Sequence, residues 1–256
     1  MKNIQLTSVI LSAIFLVTCE KEKLEKNEDI DITGQSGTLT DYDGNKYNWI
    51  GIGKQAWMKE NLRVTHYADG TAIPHIESYT DWGKLGHDDK AYCWYDNQTD
   101  NRDMYGGLYT WAAAMNGTEP NGTYPSGLQG VCPVGWHLPS DQDWKELEMH
   151  LGMSLEEANN TGTRGIDEGG KLKESGTTHW VGGIGASNES HLTALPGGRR
   201  LNYGQFDGLG THANFWTASR QSTPSIWHRG LYYGNEGVYR NTIYMDNGLS
   251  VRCVRD

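Results

Sequence analysis

The chain has 256 residues, a formal net charge of −10, 33 glycines, 10 tryptophans and 14 tyrosines against 3 phenylalanines. That length fits one large domain or two small ones, and an acidic composition without a basic patch argues against a nucleic-acid partner. Glycine at this level predicts short strands and many turns, with the core filled by large amphipathic aromatics in place of phenylalanine.

The N-terminus reads as a targeting segment. Lys2 precedes an apolar run from Val9 to Val17, too short to span a bilayer but suited to the central region of a secretory signal. The run ends in "LVTC", Leu16 to Cys19, which resembles a bacterial lipobox with Thr18 in place of the usual small residue. The resemblance implies that Cys19 is acylated as the first residue of the mature protein; an ordinary signal peptide cut nearby is the alternative. The next stretch, "EKEKLEKNEDID", has no helical apolar stripe and reads as a disordered tether. It also resembles the export signals of surface lipoproteins in the Bacteroidota. The expected organisation is a signal peptide over residues 1–18, lipidated Cys19 and tether over 19–36, and one domain over 37–256. Such a protein would sit at the outer membrane or cell surface, held to the membrane by its lipid alone.

In chain order, "GTLTDYDGNKYNWIGIG" alternates around Asp43-Gly44 as two strands and a tight turn, and "YADGTAI" repeats the signal. "YGGLYTWAAAMNG", Tyr105 to Gly117, reads as a helix stopped by Asn-Gly. A stronger helix begins at Ser140 as its cap, carries Trp144, Leu147 and Leu151 on one apolar face, and ends at Gly152. Ser154 and Glu157 form a capping box for a short third helix. "GTRGIDEGGKLKESG" and the run to Tyr203 read as loops with brief strands. In "NTIYMDNGLSVRCV", Asn247-Gly248 separates two alternating segments, so a terminal hairpin is expected, with Cys253 in its last strand.

"GVCPVGWHLPSDQDW", Gly130 to Trp144, tempts one toward Cys/His nucleophilic chemistry. An extended, proline-containing spacing of five does not bring Cys132 and His137 to one side of the backbone, and a cysteine in a secreted domain is more often half of a disulfide. With Cys19 lipidated, Cys93, Cys132 and Cys253 allow three pairings. We expect Cys132–Cys253, which closes a loop of about 120 residues between the start of the second helix and the last strand, leaving Cys93 as a buried thiol.

The motifs "DYDGNKYNWIGIGKQAWMKENLRVTHYADGTAI", "YGGLYTWAAAMNG", "GVCPVGWHLPSDQDWKEL", "ALPGGRR", "FWTAS" and "GLSVRCVRD" occur in the order seen in the Fibrobacter succinogenes major paralogous domain family, which the chain resembles from Gly37 to Asp256. The resemblance implies a surface or secreted bacterial protein, commonly a lipoprotein, with no established activity. A more distant likeness to formylglycine-generating-enzyme-type domains implies an α+β, C-type-lectin-like fold with two main helices, twisted antiparallel sheets and a loop-rich region. The enzyme's paired redox cysteines are not recognisable, since Cys253 alone lies in the corresponding region.

The nine histidines show no metal-binding motif, and neither metal nor cofactor is expected. The "TEPNG" triplet around Glu119 and Asn121 reads as a turn, because it precedes the helix it would follow in a calcium-dependent lectin. The aromatic second half remains: Trp180, Trp227, Tyr232 and Tyr239 are the candidate ligand contacts, with core packing as the competing account for each. In "IWHRGLYYGNEGVYRNTIY", alternation puts Trp227, Arg229, Leu231 and Tyr233 on one strand face and His228 and Tyr232 on the other. The expected function is a non-catalytic surface module recognising a glycan or an extracellular protein. A structural component of the cell envelope ranks second and an enzyme third. Alkyne-palmitate labelling of cells should tag the wild-type chain and miss Cys19→Ala; equal labelling of both would remove the anchor.

Overall fold

The computed structural model describes residues 30–120, 122 and 126–256, so Cys19, most of the tether and Asn121 lie outside the described residues. The Asp43-Gly44 turn joins β1 (Ser36–Thr40) to β2 (Lys46–Ile52) in antiparallel register. Gly44 takes φ +81°, and the Asp41 carboxylate ties the turn by accepting from Asn45 and from the Tyr47 hydroxyl at 2.6 Å. β3 (Gln55–Met58) continues the meander.

Next come α1 (Tyr79–Trp82), β4 (Tyr92–Cys93) and α2 (Thr99–Tyr105). The helix expected from Tyr105 to Gly117 is interrupted. Gly106 adopts φ +78°, β5 (Leu108–Tyr109) pairs with β4, and α3 (Trp111–Met115) starts only at its Thr110 cap. α4 (Asp141–His150) carries the expected Ser140 cap, as a reciprocal box with Asp143, and buries Trp144 and Leu147. α5 (Leu155–Asn159) has the Ser154/Glu157 box. The segment read as a loop contains β6 (Gly162–Arg164) and α6 (Glu168–Leu172).

The second half supplies β7 (Gly197–Arg200), β8 (Phe206–Leu209), β9 (His212–Ser222), β10 (Ser225–Tyr232) and β11 (Val238–Tyr244), and β12 (Val254–Arg255) closes the chain order. One sheet has the order β1-β2-β3-β12, and a six-stranded sheet has the order β6-β11-β10-β9-β7-β8. β7 and β9 are parallel and the other pairings in both are antiparallel. Few helices and several sheets define an α+β protein.

One expectation is corrected. No terminal hairpin forms: after the Asn247 turn, Gly248 bridges Arg200, Leu249 bridges Tyr109 and Ser250 bridges Phe215, and β12 then pairs with β3. A turn sequence fixes a reversal, but the partner it returns to depends on where apolar residues can be buried, and Leu249, Val251 and Val254 are all buried. Residues ahead of Gly37 pack onto the domain. Ile32 donates to Gly53 O at 2.8 Å and Gly34 to Gly51 O at 3.0 Å, and residues 31–256 form one compact unit.

The core is built from tryptophan and tyrosine. Trp57, Trp144 and Phe215 meet at ring separations of 4.7 and 5.4 Å under α4, while Tyr109, Trp111, Trp136 and Trp216 gather around the disulfide. Cys132 and Cys253 are bonded, with Cα atoms 5.9 Å apart at a sequence separation of 121. Closing a loop that long removes roughly 5 kcal/mol of freedom from the unfolded chain by the loop-entropy argument. Cys93 is a buried free thiol, and burial pushes its pKa up to about 12, so it is inert as a nucleophile near neutrality.

Candidate functional site

β9 and β10 pair regularly from Leu231 to His228, and there the register breaks. His228 lies opposite Trp216 and Ile226 opposite Arg220, so Thr217, Ala218 and Ser219 face Trp227 alone. Extra residues on one strand make a bulge, which bends the strand and re-aims its side chains. The bulge is fastened to the start of α4: Ala218 N donates to Pro139 O at 2.8 Å, Asp141 N to Ser219 Oγ at 3.0 Å, and Thr217 Oγ1 to Trp227 O at 2.7 Å.

Between the bulge, the N-terminus of α4 and Leu128 lies a cleft of about 370 Å³, lined by Ser140, Asp141, Gln142, Ser219, Arg220 and Trp227 among others. Trp227 is half-buried, and the Arg240 guanidinium covers its ring at 3.7 Å from the centroid. Arg220 packs over Trp111 at 5.1 Å and donates to Glu119 at 2.8 Å, which accounts for that glutamate as a surface partner. Gln142 has no side-chain hydrogen bond among the described residues and is open to a ligand.

At Asp141 the cleft backs onto a buried network of ion pairs. Arg229, fully buried, donates Nε to Glu148 Oε1 at 2.7 Å and a terminal nitrogen to Asp141 Oδ1 at 2.8 Å. Arg164 grips both Glu148 oxygens at 2.7 and 2.9 Å, and Arg240 grips both Asp141 oxygens at 2.8 Å. Lys145 adds a contact to Asp141 at 3.1 Å. Burial opposes ionisation of Asp141, but its bonds to Arg240 and Arg229 outweigh that and hold its carboxyl well below the usual range. Its oxygens are fully engaged, so Asp141 positions the cleft and has no free lone pair for a proton or a ligand.

The four aromatic candidates do not form one surface. Trp227 lies with Arg229 and Arg240 on the sheet face toward α4. Tyr232 and Tyr239 lie on the opposite face, in a T-shaped pair 5.4 Å apart, flanked by His212 and His228 at 4.8 and 5.8 Å. Both tyrosines are half-buried, and burial pushes the Tyr232 hydroxyl up to about 12. Trp180 is corrected: it is 1 % exposed, its Nε1 donates to Ala194 O at 2.9 Å, and Lys173 covers the ring at 5.5 Å, so it is a core residue without a face for a ligand. Sequence reasoning missed Arg220 and Gln142. Neither belongs to an aromatic pattern, and the bulge that brings Arg220 beside α4 has no glycine or proline to mark it.

An α+β domain with a tryptophan-containing polar cleft is thus the class of protein in hand. Residues 50–255 match the Fibrobacter succinogenes major domain, and the chain belongs to that family. No curated protein and no solved structure matches it.

His228 makes the sheet sensitive to acid. Its Nδ1 pairs with Asn241 O at 2.9 Å, and burial lowers its pKa to about 3. The unfolded chain takes up this proton below about pH 6.5 and the folded chain does not until near pH 3, so stability is lost as pH falls through that window. At no more than about 1.4 kcal/mol per pH unit, the loss attributable to this group between pH 7 and 4.5 is roughly 2–3 kcal/mol. Urea unfolding at the two pH values should show that difference in the wild type and a correspondingly smaller one in His228→Gln. Identical pH dependence in the two proteins would contradict the assignment.

Proposed function

We propose that this protein is a non-catalytic binding module of a bacterial surface lipoprotein, and that the cleft at Trp227 holds a glycan. The observation that carries this reading is the combination of a half-buried indole with Arg220, Gln142 and the α4 N-terminus around one open cleft. A sugar presents an apolar ring face and a rim of hydroxyls. An indole fixed in place offers contact area with little loss of side-chain entropy, and guanidinium and amide groups supply directional hydrogen bonds.

The stacking of Arg240 on Trp227 and the saturation of Asp141 favour a pre-organised site, in which little ordering is required on binding. Few helices, of which α4 with 10 residues and α2 with 7 are the longest, together with antiparallel sheets and long irregular connections, are in keeping with the C-type-lectin-like arrangement, which we propose as the finer description of the fold. The anchor at Cys19 would present the module on the outer surface, where an extracellular glycan is accessible.

A glycan array probed with the purified chain, followed by titration with the best-bound oligosaccharide, tests this. Gln142→Ala should weaken binding about tenfold while stability stays within about 0.5 kcal/mol. Trp227→Ala should abolish measurable binding at a stability cost of about 1–2 kcal/mol, because the ring is also packed against Arg240. Undiminished binding by both variants would remove the cleft from the function.

A further inference from the structure

We propose that His137, Asp143 and Asp256 bind one divalent transition-metal ion, with zinc the best match to the donor set. The three come from separate parts of the chain and meet because of backbone pairing. His137 and Val254 exchange both of their backbone hydrogen bonds, at 2.9 and 3.0 Å. Asp256 is two residues beyond Val254, on the same side of the extended chain, so its carboxylate lies beside the imidazole. Asp143 arrives from the first turn of α4.

The imidazole is the informative group. The His137 side chain is 8 % exposed, and its Nε2 is buried without a hydrogen-bond partner. It faces Asp143 Oδ2 at 3.6 Å and Asp256 Oδ2 at 3.8 Å. A charge-assisted bond from nitrogen to a carboxylate spans about 2.7–2.9 Å, so these gaps are close to an ångström too long for direct pairing. Donor atoms around a tetrahedral ion with bonds of about 2.0–2.1 Å stand roughly 3.4 Å from one another. One donor atom from each residue falls within a 4.8 Å limit of the other two. The spacing therefore needs only a small contraction, and Asp256, with 39 % of its side chain exposed, is free to supply it.

The surroundings suit a metal ion. Asp143 is fully buried and is oriented by neutral donors: Ser140 N and Oγ occupy Oδ2 at 2.6 and 2.7 Å, while Oδ1 accepts only the long bond from Gln55 Nε2 at 3.3 Å, so Oδ1 is the oxygen with a lone pair left for the ion. Gln55 is itself held by Trp57 Nε1 at 3.0 Å. Such outer bonds fix a liganding carboxylate without neutralising it. Lys54 pairs with Glu146 at 3.3 Å, and the two act on Asp256 with opposite sign. The two carboxylates carry a charge that a divalent ion balances. One nitrogen donor with two carboxylates suits zinc or manganese, whereas calcium calls for six or more oxygens. Water would complete the coordination sphere, and the ion would fasten the last residues to α4.

The full chain, purified without a polyhistidine tag and stripped with EDTA, should bind one equivalent of zinc by calorimetry, with a rise in thermal midpoint, and bind calcium far more weakly. His137→Gln should abolish zinc binding. Because a buried histidine variant can fail to fold, Asp256→Asn at the part-exposed position decides the matter: it should fold with an unchanged metal-free midpoint and bind zinc at least about tenfold more weakly. Absence of saturable binding at millimolar zinc would overturn the proposal, as would undiminished binding in Asp256→Asn.

Discussion

Glu148, with no solvent exposure, accepts hydrogen bonds from Arg164 and Arg229, and the rest of the second half is arranged around that contact. A carboxylate there would cost several kilocalories per mole if unpaired, and so would either guanidinium. Once all are buried, β6, β10 and α4 have to occupy one relative position. Asp141 repeats the device one end of the helix away, joining Arg229 to Arg240 of β11. Burial alone would lower the Arg229 pKa, but Glu148 and Asp141 together raise it, so its charge is secure. For Arg164 burial is the larger effect and the shift is downward, which marks it as the weaker member.

The cleft inherits its shape from this network. The guanidinium that bonds Asp141 is the same group that lies on Trp227, and the backbone N–H of Asp141 holds the β9 bulge through Ser219. Binding groups on a bulge and a helix N-terminus are precise only when both rest on something stiff. Here the stiffness comes from buried, hydrogen-bonded ion pairs, in which Arg164 Nε alone of the guanidinium nitrogens lacks a partner among the described residues, and such pairs specify a geometry more than they add stability. The disulfide acts on a separate core cluster and fixes the segment leading into α4 to the segment ahead of β12.

Local chemistry was legible in the sequence. The Ser140 cap, Ser154 with Glu157, and Asp43-Gly44 are short-range hydrogen-bonding or backbone preferences, and each forms the element expected of it. Alternation in β10 likewise separated Trp227 and Arg229 from His228 and Tyr232. What was illegible depends on distant partners. Nothing near Asn247-Gly248 tells that the chain crosses to Tyr109 and Phe215 instead of folding back, and Trp180 differs from Trp227 only in what covers it. Arg164, Arg229 and Arg240 look like solvated charges until the sheet sets them against α4. Of the candidate site, the tryptophan was visible and its polar companions were not, since a bulge without glycine or proline leaves no compositional trace.

The dependence of this architecture on Glu148 is open to one measurement. Urea unfolding of Glu148→Gln at neutral pH, beside Lys84→Met as a control that removes the exposed Asp81–Lys84 pair, compares a buried contact with a surface one. A neutral amide leaves Arg164 and Arg229 under-compensated in the interior, so the account predicts a loss of about 3–5 kcal/mol for Glu148→Gln and under about 0.5 kcal/mol for the control. A loss below about 1 kcal/mol for Glu148→Gln would contradict it.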